Sequence, residues 1–210
     1  MTGLAPMEMK LMFKRLSAFA ALALLPALAS CVSIGGSAEP PEQLITFTAR
    51  ETAPAGASST GEVTDAIVVL EPEVEDRLDV NRVPVKVDAT GVAYLKDAVY
   101  VDRPARLFQH LLAETLRARK GGLVIEGEDP GVLVSTRLFG RIIEAGYDAQ
   151  RSSVSVIYDA VAIAPDGKMR QRRFASTVEG VPADAASVAP ALNDAANDVV
   201  SQTVTWLTGK

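Results

Sequence analysis

Few residues of this chain have both the type and the setting for chemistry. Its one cysteine, Cys31, has no second thiol for a disulfide and no sulfur neighbour for a metal site. Its one histidine, His110, would have to serve in any triad or acid–base pair. It falls beside Arg106 and Glu114 on the polar face of a predicted helix, where a solvated residue is the favoured reading over a catalyst. The densest carboxylate run is Glu71, Glu73, Glu75 and Asp76, broken by Pro72. Its spacing misses the EF-hand pattern, so a solvated loop is favoured over a weak calcium site. There is no GxGxxG, no P-loop and no nucleophile elbow. No catalytic residue, metal or cofactor is therefore expected. Basic residues do gather late, at Arg137, Arg141, Arg151, Lys168, Arg170, Arg172 and Arg173. In an antiparallel meander they would collect at one end of the sheet. They would then form a patch for a partner or a lipid phosphate, or solvated edge charges that discourage aggregation. The second reading is favoured, with Arg170, Arg172 and Arg173 as the candidates for partner binding. Tyr94, Tyr100 and Phe108 read as core, since the chain has few aromatics.

Cys31 takes its meaning from what precedes it. Lys10, Lys14 and Arg15 supply a positive start, and Leu16 to Leu28 is apolar except at Ser17 and Pro26. Small residues, Ala29 and Ser30, lead into the thiol. A charged start, a short apolar run and a small-residue cleavage site mark an export signal. The run is shorter than the ~20 residues a bilayer span needs. Leu28-Ala29-Ser30-Cys31 resembles the lipobox of bacterial lipoproteins, in which the thiol is lipidated and becomes the first residue. Residues 1–30 are thus expected to be a lipoprotein signal peptide. Their removal from the 210-residue chain leaves 180, enough for one domain with a sizeable core. Removing Lys10, Lys14, Arg15 and Glu8 also moves the net charge from −5 to −7. So acidic a chain is a poor partner for nucleic acid or for an anionic membrane surface by charge alone. The membrane is reached through acyl chains, more than one of which are needed for stable anchoring.

Residues 31–43 are Gly-, Ser-, Pro- and Glu-rich after the cysteine and read as a flexible tether. Extended at ~3.3 Å per residue it reaches ~40 Å, with an average span nearer ~20 Å. Residues 44–210 read as one domain. Leu44–Thr48 looks like a strand, 49–64 like a surface loop, and Ala66–Leu70 like a buried central strand. Val83–Val87 and Val92–Val101 form a predicted hairpin. Pro104 opens a helix to about Arg119, with Leu107, Phe108, Leu111, Leu112 and Leu116 on one half of its wheel. Leu123–Ile125 is a short strand. Val132–Ile143, Val154–Ile163 and Met169–Val178 make a meander, with Gly140 read as a bulge. Pro165-Asp166-Gly167 is a type I turn closed by a left-handed glycine. It sets Tyr158 opposite Phe174, Val154 opposite Val178 and Asp159 opposite Arg173, a register that a one-residue slip would destroy. A last helix spans about Val188–Leu207, with Ser187 as N-cap and Pro190 in its first turn. Val188, Leu192, Ala195, Val199, Thr203 and Trp206 form its buried stripe, and Asn193, Asp194, Asn197, Asp198 and Ser201 face away. The expected fold is α+β and two-layer: a mixed, mostly antiparallel sheet with two amphipathic helices packed on one face.

The order of these motifs resembles the ABC-type transport auxiliary lipoproteins, the family that includes PqiC. The parts are Ile67-Val68-Val69-Leu70-Glu71-Pro72, Leu78-Asp79-Val80-Asn81-Arg82-Val83 and Ala93-Tyr94-Leu95-Lys96-Asp97-Ala98. The Leu/Phe-rich helix, Asp166-Gly167 with Arg173-Phe174, and the alanine-rich helix ending at Trp206-Leu207 follow. Tyr100 stands where the family pattern would carry tryptophan. The resemblance implies a periplasm-facing, outer-membrane lipoprotein without catalytic residues. It would work with an MCE-domain substrate-binding protein, an ABC permease and an ATPase in moving lipids between membranes. Val32 after the cysteine, rather than aspartate, resembles the outer-membrane sorting type. Self-association stays open. A structural or assembly lipoprotein of pilotin or envelope-scaffold type would share the anchor and the lack of catalysis.

If the thiol is the lipidation site, Cys31→Ala leaves an unacylated, uncleaved precursor. Radiolabelled palmitate incorporation checks this; equal labelling of the variant and the natural chain would refute it.

Overall fold

One strand, β6 (Thr136–Asp148), is the axis of the sheet in the computed structural model, which describes residues 43–120, 122–127 and 135–209. The expected signal peptide, Cys31 and the expected tether as far as residue 42 lie outside the described residues. Along one edge β6 pairs antiparallel with β7 (Ser153–Ile163), from Arg137 opposite Ile163 to Asp148 opposite Ser153. β7 pairs antiparallel with β8 (Met169–Glu179). The other edge of β6 takes β1 (Ile67–Val69), β2 (Glu73–Val74) and β3 (Arg82–Lys86) in succession, all parallel to it. These three amount to one interrupted strand. Pro72, which has no N–H to give to a ladder, lies between the first two. β4 (Val92–Val99) folds back on β3, and β5 (Val124–Glu126) lies parallel to β1 on its far side. The result is an eight-stranded mixed, mostly antiparallel sheet. Two helices, α1 (Pro104–Lys120) and α2 (Ala185–Thr208), complete the α+β fold.

The core is a single cluster between the sheet and the helices. Leu107, Phe108, Leu111, Leu112 and Leu116 of α1 meet Val188, Leu192, Ala195 and Val199 of α2 over Leu138, Ile142, Val154, Val156 and Tyr158. Alanines 191, 195 and 196 are buried and let α2 sit close to its neighbours. Tyr100 and Phe108 are buried, as expected, whereas Tyr94 is half-buried with the Arg82 guanidinium 5.2 Å from its ring centre. The Tyr100 and Tyr158 hydroxyls are buried with no hydrogen-bond partner among the described residues. Burial alone pushes both phenols well above their ordinary pKa.

The meander has the expected register: Tyr158 faces Phe174, Val154 faces Val178 and Asp159 faces Arg173. Ala164 N–H donates to the Lys168 carbonyl at 2.9 Å across a turn in which Gly167 has φ +81°. Other details differ from the sequence reading. Gly140 is not a bulge, since it lies in register opposite Ala160; the register shift falls between Ile142 and Glu144. The Arg77 guanidinium stabilises that irregularity, donating to the Ile143 carbonyl at 2.7 Å and to Glu144 Oε1 at 3.1 Å. Gly140 is instead a place of close approach. A Cβ there would lie 1.9 Å from the Asp159 carbonyl oxygen and 2.9 Å from the Tyr158 hydroxyl. α2 begins at Ala185 with Asp184, not Ser187, as N-cap; Asp184 Oδ1 accepts from Ser187 N–H at 2.8 Å. Pro190 therefore stands beyond the first turn and withdraws one helical hydrogen bond.

The segment expected as a first strand makes only one bridge, between Ile45 and Tyr100. The chain after it is a strap held by side chains of the helices. Thr48 N–H donates to Asn193 Oδ1 at 2.8 Å, and Arg50 N–H to Asn197 Oδ1 at 2.9 Å. Asn197 Nδ2 returns a bond to the Thr48 carbonyl at 2.9 Å. Under this cover Asn197 is only 5% exposed, although its place on the helical wheel assigned it to solvent. Arg50 then reaches Asp194 at 2.9 Å and Asp198 at 2.5 Å, Glu51 pairs with Arg119, and Ala53 N–H donates to Glu114 Oε1 at 2.9 Å.

Gly140→Ala should cost roughly 3 kcal/mol, because backbone must move to admit the methyl group. Gly61→Ala should be neutral or slightly stabilising, since its nearest neighbour would be Leu123 Cδ1 at an ordinary 3.8 Å. Urea midpoints at unchanged slope test the contrast, and equal midpoints would refute the close approach. Asn197→Ala leaves the strap's Thr48 carbonyl and Arg50 N–H without these partners, at about 1–3 kcal/mol. Hydrogen exchange should accelerate over residues 45–53; unchanged exchange there would show that the strap is held otherwise.

Candidate functional site

Alternation along β8 divides the three arginines singled out from sequence between the two faces of the sheet. Arg173 stands on the face away from the helices, where its Nε and Nη2 donate to the two Asp159 oxygens at 2.6 Å each. Arg170 and Arg172 point to the helix side. The Arg170 guanidinium lies 4.9 Å from the Trp206 ring centre, and that of Arg172 lies 5.3 Å from the Phe174 ring centre. The seven basic residues do not form one patch. Arg151 belongs to the β6–β7 turn, at the opposite end of the meander from Lys168 in the β7–β8 turn.

On the uncovered face the charges alternate across four strands. Glu73 opposes Arg141, Arg141 opposes Asp159, and Asp159 opposes Arg173. The hydrogen bond from Arg173 is the main cause that holds the Asp159 carboxyl below its usual pKa. The sign follows: this stabilisation is present above the ordinary carboxylate range and fades as pH falls through the lowered value. With Arg173 62% exposed, solvent screens the pair and its net contribution to stability is small. Towards the β7–β8 turn apolar residues gather on the same face, with Arg137 opposite Ile163 and Gln171 opposite Val161 among them. Phe139 opposes Val161 and Ile163 opposes Met169, which is 66% exposed. An antiparallel sheet with one solvated face ordinarily presents polar residues there, so this cluster marks the face as a candidate contact surface.

The other candidates resolve into ordinary surface chemistry. His110 is exposed on α1 and meets Glu126, which also accepts from Arg117 Nη2 at 2.6 Å; no nucleophile joins them among the described residues. The acidic run is dispersed over separate arginines: Glu71 lies 3.4 Å from Arg103, Glu73 pairs with Arg141, and Glu75 lies 3.2 Å from Arg77. Among the described residues no three His, Cys, Asp or Glu side chains stand together as metal ligands. No described helix is long and apolar enough to cross a membrane.

Sequence reasoning missed one feature. A cavity of about 730 Å3 opens between the C-terminal ends of the two helices and the sheet. Arg119 and Lys120 of α1, Leu207 of α2 and Arg170 of β8 surround it. The basic end of the first helix was the only local signal, because the cavity is assembled from segments far apart in the chain.

No protein-family model matches the sequence, and no curated protein does. Similarity appears in solved structures. The crystal structure of protein XCC0632 from Xanthomonas campestris, of the family model DUF330, superposes with a TM-score of 0.62 at 16% identity. The alignment covers 79% of this chain and 94% of that one. A crystal structure of an uncharacterized protein matches at 0.60 and 10% identity, over 79% of this chain and all of the other. At these identities the likeness is one of fold: this chain folds as a DUF330 protein does.

Proposed function

We propose that this protein is a lipoprotein anchored to the outer membrane through Cys31 and facing the periplasm. In this reading it is an auxiliary component of an MCE-type ABC system that moves lipids between membranes. Its activity is association rather than catalysis. The signal-peptide and lipobox pattern supports the anchor, and the order of motifs along the domain supports the family. The observation that carries the association is the uncovered sheet face. Phe139, Val161, Ile163 and Met169 form its apolar end, and Arg141 and Arg173 flank it in the charge row. An apolar centre with an arginine-bearing rim is the anatomy of a protein-binding surface. Among the described residues no strand pairs with the outer side of β8, and its backbone edge would serve the same partner.

The partner is the MCE-domain substrate-binding protein, with its permease and ATPase behind it. A scaffold lipoprotein that organises the envelope without transport is the second reading, and the same surface would serve it. Affinity purification of the detergent-solubilised, acylated protein decides between them. An MCE-domain protein should co-purify, and Val161→Lys with Met169→Glu should reduce its recovery at least tenfold while the thermal melt stays in place. If no MCE-domain protein co-purifies and loss of the gene leaves the lipid barrier intact, the transport reading fails and the scaffold reading replaces it.

A further inference from the structure

The cavity at the helix ends lies on the other side of the sheet from the surface proposed for docking. A taper in β7 holds it open. Along the strand's inward row, Val154, Val156 and Tyr158 give way to Ala160, Ala162 and, just past the strand, Ala164. Opposite the first two of these alanines, β8 places Arg172 and Arg170 rather than apolar side chains. The helix layer does not fill the gap, because α1 ends at Lys120 and Trp206 of α2 is turned onto Phe174, ring centres 5.6 Å apart. Protein interiors close such spaces with side chains; here Ile67 and Ala162 form a nearly closed floor, 4% and 2% exposed, and the half-buried Ala164 and Leu207 leave the apolar lining partly open.

The rim is basic in an otherwise acidic protein. Among the described residues Arg119, Lys120 and Arg170 line the cavity with Glu51 as the only carboxylate. The two helix C-termini together amount to about one negative charge, and Glu51 adds a second, so among the described residues one of the three cations is in excess. Arg119 is committed: it donates to Glu51 at 2.8 and 2.5 Å and to Ser201 Oγ at 2.8 Å. The other two have no carboxylate partner among the described residues. Lys120 Nζ donates to the Asp65 carbonyl at 2.5 Å, and Arg170 stacks on Trp206 with a long 3.5 Å contact to the Leu207 carbonyl. The volume falls in the range of small-molecule sites, which combine an apolar lining with a few placed polar groups. A small hydrophilic anion would leave the apolar lining wet, and an uncharged hydrocarbon would leave the cations unmatched.

We propose that this cavity binds a single-chain amphiphile with an anionic head. The tail lies on Ile67, Ala162, Ala164 and Leu207, and Lys120 and Arg170 meet the head. The choice of an acyl chain as the tail rests on the lipid-transport reading; the apolar lining and the surplus charge do not. A carboxylate and a phosphate head share the same chemistry, supplied by a free fatty acid or by a lysophospholipid.

The test uses the acylated full-length protein in phosphatidylcholine nanodiscs. Three diazirine probes share one tail: a fatty acid, a lysophosphatidylglycerol and an uncharged monoacylglycerol. At least one anionic probe should cross-link to peptides containing Ala162–Ala164 or Leu207, with at least tenfold preference over the uncharged probe. The arm that labels identifies the head. Ala162→Leu with Ala164→Leu should abolish labelling. Because that variant fills a core-adjacent space, Lys120→Gln with Arg170→Gln provides a surface control. It should remove the preference for the anionic probes while the variant still melts in one cooperative transition. Labelling spread over the surface, labelling indifferent to head charge, or no labelling by either anionic probe would overturn the proposal. Co-purification of the MCE-domain protein with the cavity-filled variant is scored separately. Labelling without a co-purifying partner would leave the site standing and the transport reading refuted; a partner without labelling would do the reverse.

Discussion

Pairing of Thr136–Asp148 along both of its edges is the constraint on which the rest of the structure depends. On one side a full antiparallel ladder to β7 sets the register. On the other, three short strands dock parallel to it, although none of them is long enough to persist alone. The two edges make different demands. The ladder requires backbone contact at Gly140, where any side chain would collide with the Asp159 carbonyl. The parallel edge requires Gly146, where a Cβ would lie 2.6 Å from the Pro84 oxygen. The register shift beside Glu144 is stabilised by Arg77, which reaches in from the loop between β2 and β3. That loop is thereby tied to the strand around which the other elements are arranged.

Both helices pack on one side of this sheet, and that asymmetry separates the functions proposed for its two faces. The covered face is the core and, where β7 tapers to alanine, the cavity. The uncovered face carries a row of alternating charges that are individually weak and keep the central strands solvated. Beyond this row Phe139, Val161, Ile163 and Met169 gather, with Arg137 and Gln171 among them. An arginine at 173 and an arginine at 172 are neighbours in the chain yet belong to these two different chemistries.

The strap adds a mechanical consequence. Amide side chains of Asn193 and Asn197 bond its backbone as a neighbouring strand would, and Arg50, Glu51 and Ala53 carry the attachment across to α1. The chain nearest the expected anchor therefore ends on the helix layer, not on the sheet.

Much of this was legible in the sequence, for a local reason. The helices follow from apolar residues three and four apart, with Pro104 at the start of one. The β7–β8 register follows from a three-residue turn, after which every facing pair is determined by counting. What the tertiary structure alone decided involves residues distant in sequence. The parallel docking of β1, β2 and β3 joins residues 67–86 to 136–148, and no local pattern encodes which edge of which strand will receive them. Gly140 reads as a bulge until its partner strand places a carbonyl against it. Asn197 reads as solvated until residues 48–50 cover it. The cavity exists only where β1, β6, β7, β8 and the ends of both helices converge. Turns and periodicity constrain neighbours along the chain; packing constrains neighbours in space, and these sites are built from the second kind alone.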